Sequence, residues 1–158
     1  FDANLNLCDP QPQYNFYAPG APIYTQSRFL PASVVEDTVV DRAMISDGCQ
    51  IRSARLERCV LGIRSLIQSG ARLRNTVVMG ADYYERDKGG TPEGQIPIGI
   101  GRNCHIEDAI IDKNARIGEG VVITPHDKDD NSEGDNYYIR DGIVVIPKSA
   151  VIPAGTHI

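Results

Sequence analysis

The chain has 158 residues, which is the size of one ordinary domain. It is 41% hydrophobic and 23% charged, a composition typical of a globular rather than a disordered protein. Its net charge is −5, from 16 Lys and Arg against 21 Asp and Glu, which excludes an overall basic nucleic-acid-binding surface. The longest apolar runs, such as residues 143–146, are far shorter than the roughly 20 residues that cross a bilayer. We therefore predict no nucleic-acid partner and no membrane association.

The first residues, FDANLNLCDPQPQYNFY, have no initiating Met and none of the basic and apolar features of a signal peptide. We interpret Phe1 as a position inside a longer chain. Residues 1–33 contain five prolines, and proline lacks the N–H group that a strand ladder needs. We therefore predict that residues 1–33 form an extended connector, ordered by the packing of its tyrosines.

The cysteines are spread along the chain and form no CxxC pair, which argues against a zinc site or a redox dithiol. A domain of this size does not need a disulfide framework. We predict reduced thiols, as in a cytoplasmic protein, at Cys8, Cys49, Cys59 and Cys104.

From residue 34 onward, aliphatic residues recur at steps of six and occasionally five. They include Val34, Val39, Ile45, Ile51, Leu61, Ile67, Ile106, Ile111, Ile117, Ile146 and Ile152. Small or turn-forming residues lie between them in a fixed phase, as in ISDGCQ, IDKNAR and IPAGTH. A fixed short period predicts a solenoid in which three repeats close one triangular coil around inward-facing aliphatic residues.

We therefore predict an all-β fold, a left-handed parallel β-helix over residues 34–158, with coils slightly shorter than eighteen residues in the first block. A β-sandwich is the alternative, but its turn signals would recur every 8–12 residues. Two polar, Gly-bearing stretches, residues 79–97 and 124–141, interrupt the repeat and are predicted to leave the solenoid as loops. The acidic centre HDKDDNSEGD lacks the EF-hand spacing and is interpreted as a solvated loop tip.

Catalytic machinery is not indicated by these residues. No Gly-rich phosphate loop and no paired catalytic carboxylates are identifiable. The three histidines, His105, His126 and His157, show no common phase that would bring them together. Acyltransferases of the hexapeptide fold use a histidine base, and gamma-type carbonic anhydrases use three histidines on zinc, but neither pattern is present. We predict no catalytic residue and no metal site.

Two lysines occupy the same phase of the repeat. Lys113 lies two residues after Ile111, and Lys148 lies two residues after Ile146. Lysines at solenoid corners are usually solvated charges. The alternative is that these two bind a phosphorylated effector as point charges.

The segments MGADYYE, IGIGRNCHI and IIDKNARIG, together with YYIRDGIVVIPKSAVIPAGT, resemble the C-terminal region of the ADP-glucose pyrophosphorylase family. The resemblance extends over nearly the whole chain and is to the cyanobacterial enzyme and the plant small subunit more than to the enteric bacterial enzyme. It implies a role in glycogen or starch synthesis, where the family makes ADP-glucose and pyrophosphate from ATP and glucose 1-phosphate with Mg²⁺. The resemblance places the catalytic domain outside this chain, which should be inactive alone and hold no cofactor.

The same resemblance implies that the β-helix associates with other subunits in a tetramer and contributes to an allosteric site. In the family, 3-phosphoglycerate activates and inorganic phosphate inhibits. The family's activator-binding lysines match Lys113 and Lys148, and a neighbour of the bound anion matches Asp112. A bacterial source implies the cytoplasm and a plant or algal source the plastid. Two alternatives stay open: the β-helix of another sugar-nucleotide transferase with acyltransferase activity, and a purely structural oligomerisation module.

Overall fold

The computed structural model describes residues 1–20, 23–24, 26–124 and 131–158. Most of its regular structure is β, alongside the short helix α1 (Asp2–Asn6) and one 3₁₀ turn (Glu85–Lys88). The strands are β1 (Val34–Glu36), β2 (Val39–Ile45), β3 (Gln50–Arg52), β4 (Arg55–Leu61), β5 (Leu66–Ile67), β6 (Arg72–Val78), β7 (Gly99–Ile100), β8 (His105–Ile111), β9 (Arg116–Ile117), β10 (Val122–Ile123), β11 (Glu133–Gly134), β12 (Tyr137–Arg140), β13 (Ile143–Ile146) and β14 (Val151–Ile152).

Apart from the antiparallel pairs made by β12, the paired strands stack in parallel along the solenoid. One sheet has the order β1-β3-β5-β7-β9-β14, and the other has the order β11-β12-β13-β8-β6-β4-β2 with β10 also paired to β8. The seven-residue strands bend in the middle at residues with positive φ, namely Arg42, Arg58, Asn75 and Asp108. Each long strand therefore contributes to two faces of a triangular coil, and the other sheet forms the third face.

The register gives the length of a coil. Val35 pairs with Ile51 and Ile51 with Ile67, so these coils advance 16 residues, whereas Ile100 to Ile117 is an advance of 17. The prediction of a parallel β-helix with coils slightly shorter than eighteen residues is confirmed.

Aliphatic side chains fill the interior of the coils. Ile51, Leu61, Ile67, Ile106, Ile111, Ile117 and Ile152 are all 2% exposed or less. Each such side chain lies on its counterpart in the next coil, as Leu73 does on Ile106. We call this stack the interior column, and it confirms the inward phase predicted for these residues.

The first coil departs from the predicted phase. Val34 is in register with Gln50 and Val39 with Arg55, so both valines point outward and are about 60% exposed. Their neighbours Val35 and Val40 face inward instead. The phase prediction for Val34 and Val39 was wrong because a run of two valines does not reveal which one faces the core.

The connector before residue 34 begins with helix α1, which lies against β4 and β6. Leu5 is fully buried there, and the Cys8 thiol donates to the carbonyl of Cys59 (3.3 Å). Tyr17 and Tyr24 are 87% and 92% exposed. The expectation that tyrosine packing orders the connector is therefore wrong for these two residues, and burial of Leu5 anchors its start.

The two interruptions of the repeat leave and rejoin the solenoid at corners. The first excursion, residues 79–97, lies between β6 and β7. The second excursion, residues 124–141, has its acidic centre partly outside the described residues. Its later part is not a simple loop, because β12 pairs antiparallel with both β11 and β13. Ile139 of β12 is buried, so this part extends the sheet.

All four cysteines lie in the described part of the chain, and all are free thiols. Cys59 faces the interior, and burial raises the pKa of its thiol to about 11. Among the described residues, no helix is long and apolar enough to span a bilayer.

Candidate functional site

Lys113 and Lys148 lie on adjacent coils at the same corner. Ile111 and Ile146 are paired in register, and the chain turns after each of them. The turns use the left-handed conformation at Asn114 (φ 61°) and Ser149 (φ 60°). The Ser149 N–H donates to the carbonyl of Lys113 (2.9 Å), which holds the two turns together. The shared phase predicted from the sequence therefore brings the two lysines side by side.

One carboxylate from the first excursion joins both lysines. Lys113 Nζ lies 3.1 Å from Asp82 Oδ1, and Lys148 Nζ lies 2.8 Å from Asp82 Oδ2. Each ammonium group thus has its own carboxylate oxygen. We call Asp82, Lys113 and Lys148 the lysine corner.

Asn114 holds Asp82 in this position. Its side-chain amide donates to Asp82 Oδ2 (3.0 Å) and its carbonyl oxygen accepts the backbone N–H of Asp82 (2.8 Å). The Asn114 N–H also donates to the carbonyl of Gly80 (3.1 Å). Asn114 is nearly buried, and asparagine tolerates the left-handed conformation of this turn better than most residues. Asn114 therefore both forms the turn after Lys113 and holds the first excursion against that turn.

The charges of the lysine corner stabilise one another. Hydrogen bonds from Lys148, Lys113 and Asn114 hold the pKa of the Asp82 carboxyl well below its usual range. The hydrogen bond to Asp82 in turn raises the pKa of Lys148. The side chains are 37% exposed at Asp82, 32% at Lys113 and 55% at Lys148. The lysine corner is therefore a charged surface site that solutes can reach.

Asp112, the third predicted effector residue, acts on the backbone of the corner. Its carboxylate accepts the N–H of Lys113 (2.6 Å), and its own N–H donates to the carbonyl of Ile146 (2.9 Å). It adds negative charge near Lys148, which helps to raise the pKa of that ammonium group. The structure thus places Asp112 beside the lysine corner, where it shapes the turn that carries Lys113.

A second carboxylate fixes the rest of the first excursion. Glu85 Oε1 lies 2.6 Å from a guanidinium nitrogen of Arg116, and the same nitrogen donates to the carbonyl of Ile96 (2.6 Å). Glu85 Oε2 accepts the hydroxyl of Thr91 (2.8 Å) and the N–H of Ile98 (2.9 Å). The Glu85 side chain is only 10% exposed. The two ends of the excursion are therefore joined through one carboxylate.

The charge state of Glu85 follows from these contacts. Burial acts to raise its pKa, but the hydrogen bonds from Ile98, Arg116 and Thr91 outweigh burial, so the pKa of Glu85 is lowered. Glu85 is therefore an ionised acceptor at neutral pH. Beside it, the Tyr84 hydroxyl donates to the carbonyl of Gly48 (2.8 Å), which fastens the excursion to an earlier coil.

The histidines do not form a common site in the described residues. His105 Nε2 lies 2.8 Å from Glu107 Oε1. The backbone of His157 forms an isolated parallel β-bridge with that of Val122 on the neighbouring coil. His126 lies outside the described residues, as does Lys128. Within residues 1–20, 23–24, 26–124 and 131–158, no group of three or more His, Cys, Asp or Glu residues could hold a metal ion.

Sequence reasoning missed Asp82, Asn114 and Glu85 as parts of the site. All three lie in the segments MGADYYE and IIDKNARIG, which carry the family resemblance. The repeat could have indicated the position of Asp82. Val78 is in register with Ile111, so the residues that follow Val78, including Asp82, start from the corner that carries Lys113. The Glu85–Arg116 contact joins residues 31 positions apart across a loop and had no such signal.

Comparison with known proteins identifies the family of the β-helix. The GLGC left-handed parallel beta-helix domain matches residues 28–157, which is most of the chain. The chain belongs to this family. It is 46% identical over 164 aligned positions to the chloroplastic/amyloplastic small subunit of glucose-1-phosphate adenylyltransferase from Triticum aestivum. The alignment covers 100% of this chain and 35% of the wheat protein, so the chain spans about a third of that relative's length. The family match also assigns the left hand that the repeat predicted.

Proposed function

We propose that this chain is the regulatory and subunit-association domain of a glucose-1-phosphate adenylyltransferase, and that its lysine corner binds a phosphorylated effector. The observation that carries the effector site is the convergence of Lys113 and Lys148, from two coils, on a single carboxylate. A site that holds one carboxylate with two ammonium groups has the charge and spacing to hold another small oxyanion. 3-Phosphoglycerate and inorganic phosphate are the effectors we propose.

The adenylyl transfer itself is proposed for the whole protein. The wheat relative is named for that activity and is about three times as long as the matched segment. Among the described residues, no cluster of three or more His, Cys, Asp or Glu side chains could hold the Mg²⁺ that accompanies ATP. We therefore derive no catalytic step from them. This chain would then act on the reaction through effector binding and assembly. For a plant source we propose a plastid location, as the wheat relative's name states for that protein.

The effector site is tested by charge reversal at the corner. In Lys113→Glu and Lys148→Glu, the affinity of the chain for 3-phosphoglycerate and phosphate should fall by a factor of about 10–100, because a charge-assisted hydrogen bond contributes about 1.5–3 kcal/mol. Isothermal titration calorimetry at low ionic strength measures the affinities. Added salt should narrow the difference by screening.

Lys88→Glu is the matched control, since Lys88 lies in the first excursion and its ammonium group contacts the Tyr83 ring rather than Asp82. It should bind both effectors as the unaltered chain does. If Lys113→Glu and Lys148→Glu also keep the unaltered binding curves, the lysines are solvated corner residues and the effector site lies elsewhere.

Subunit association is supported by the first coil. Strands β1 and β2 lie at the ends of their sheets, and the inward-facing Val35 and Val40 are still 46% and 42% exposed. Strand edges and apolar ends of a solenoid gain stability when they are paired or capped. We propose that another subunit covers this end of the β-helix.

Sedimentation velocity tests the association. Val40→Lys should shift the chain toward smaller species, because the ammonium group would have to be desolvated at the interface. Val151→Lys is the control, since Val151 is similarly exposed (39%) but lies on the last coil. Unaltered chain that sediments as a monomer at high concentration would contradict the proposal.

A further inference from the structure

We propose that Asp82 is a tethered competitor of the effector: its carboxylate occupies the two ammonium groups of the lysine corner, and an oxyanion binds there by displacing it. This inference rests on the proposed function of Lys113 and Lys148. It assigns to the first excursion a defined part in effector binding, namely to set the threshold concentration at which an anion occupies the site.

The contacts of Asp82 are those that an oxyanion would make. Its two oxygens lie 3.1 Å from Lys113 Nζ and 2.8 Å from Lys148 Nζ, which are ordinary distances for charge-assisted hydrogen bonds. An incoming phosphate needs the same donors. It would also meet the negative charge of Asp82 within a few ångströms while that carboxylate stays in place. Binding to the lysines and retention of Asp82 are therefore in competition.

The carboxylate can leave without unfolding the excursion. The backbone on either side is held by bonds that do not involve the carboxylate: Ala81 N–H to the carbonyl of Ile63 (2.9 Å), Asn114 N–H to Gly80, and Asp82 N–H to the side chain of Asn114. The Glu85 contacts fix the following residues. Displacement thus requires a rotation of one side chain, which is 37% exposed, and the loss of its bond from the Asn114 amide.

Asp82 differs in this respect from the other carboxylate beside the corner. Asp112 is committed to the N–H of Lys113, so its charge stays where it is whether or not an anion is bound. Asp82 is the carboxylate whose ion pairs are made with the proposed effector lysines themselves. The effect of removing its charge should therefore be opposite in sign to that of removing either lysine.

The experiment compares Asp82→Asn with the unaltered chain in calorimetric titrations with inorganic phosphate and with 3-phosphoglycerate. Asp82→Asn keeps the size and the backbone bonds of the residue but removes its charge. We expect both anions to bind about 3- to 10-fold more tightly, which is the effect of removing one nearby like charge in a partly exposed site. Asp87→Asn is the matched control, because it removes a charge from the same excursion at an exposed position that pairs with Arg86. It should leave both affinities unchanged.

Circular dichroism melting establishes that each variant folds. Asp82→Ala is a second variant, which cannot keep the bond to the Asn114 amide and should change the affinities in the same direction. If the unaltered chain binds phosphate and both Asp82 variants bind it equally or more weakly, Asp82 positions the lysines and the competition is disproved while the effector site stands. If neither the unaltered chain nor the Asp82 variants bind either anion, the effector site itself is absent. Binding that appears only in the Asp82 variants would support the competition in its strongest form.

Discussion

Inside the coils, the aliphatic side chains of one coil lie directly on those of the next, and no single contact is essential to the pattern. In the first excursion, by contrast, individual polar contacts hold 19 residues in place, among them those of Glu85 with Arg116 and of Asn114 with the backbone around Asp82. The interior column is stabilised by the burial of apolar surface, and this stabilisation does not depend on direction. The excursion depends on hydrogen bonds and charges with fixed partners. On the proposed function, we therefore expect stability and effector binding to be controlled by separate sets of residues in this fold.

The largest effect should come from opening a cavity in the interior column. Ile106→Ala should lower the free energy of unfolding by about 2–5 kcal/mol, because Ile106 is fully buried and its neighbours can only partly fill the space. Chemical denaturation monitored by circular dichroism measures the change. The folded fraction of Ile106→Ala should bind phosphate with the same affinity as the unaltered chain.

Arg72→Ala is the control for this substitution. Arg72 precedes the buried Leu73, which pairs with Ile106, but its own side chain is exposed on the outer surface. Its loss should change the unfolding free energy by less than about 0.5 kcal/mol. An equal loss of stability in both variants would show that the interior column does not dominate the stability of the coils.

A smaller and more local effect is expected at Glu85. Glu85→Gln should weaken the protection of the Ile98 amide against hydrogen exchange by about 1.5–3 kcal/mol, since that amide loses a charged acceptor. The pKa of Glu85 is lowered in the folded chain, so its contribution is present above the unfolded pKa of about 4.3 and is lost as pH falls through the folded pKa. Protection in the unaltered chain should therefore decrease with acid after correction for intrinsic exchange rates, and protection in Glu85→Gln should not share that decrease.

Glu93→Gln serves as the matched variant, because Glu93 lies exposed in the same excursion. It should exchange at Ile98 as the unaltered chain does. Global unfolding of Glu85→Gln at the same denaturant concentration as Ile106→Ala would contradict the separation between excursion and interior column.

The interior column was the most predictable part of the molecule. Ile51, Ile67 and Ile117 are buried because a periodic pattern repeated over many coils leaves only one phase that hides all of them. The pattern failed at Val34 and Val39, where the coil lies at an end and two adjacent valines fit either phase. Local periodicity decides orientation only when neighbouring coils constrain it.

The lysine corner was predictable in part. The shared phase of Lys113 and Lys148 follows from their equal distance to Ile111 and Ile146, so their proximity could be inferred from the repeat. Asp82 belongs to a segment that has left the repeat, and its contacts depend on how the excursion folds back. The Glu85–Arg116 pair depends on the same three-dimensional path. Contacts of this kind carry no periodic signal.

The first excursion leaves and rejoins the coils at corners, and this affects how changes in its length and sequence are tolerated. Residue 78 leaves β6 and residue 99 begins β7, yet the pairing of Val78 with Ile111 and of Ile67 with Ile100 continues as in uninterrupted coils. Lengthening such a loop costs little, since each doubling of loop length adds only about 0.6 kcal/mol of closure entropy. Insertions, deletions or grafted segments between residues 86 and 95 would leave both Asp82 and the ladder in place. Homologues and engineered variants can therefore diversify this surface without redesigning the coils beneath it.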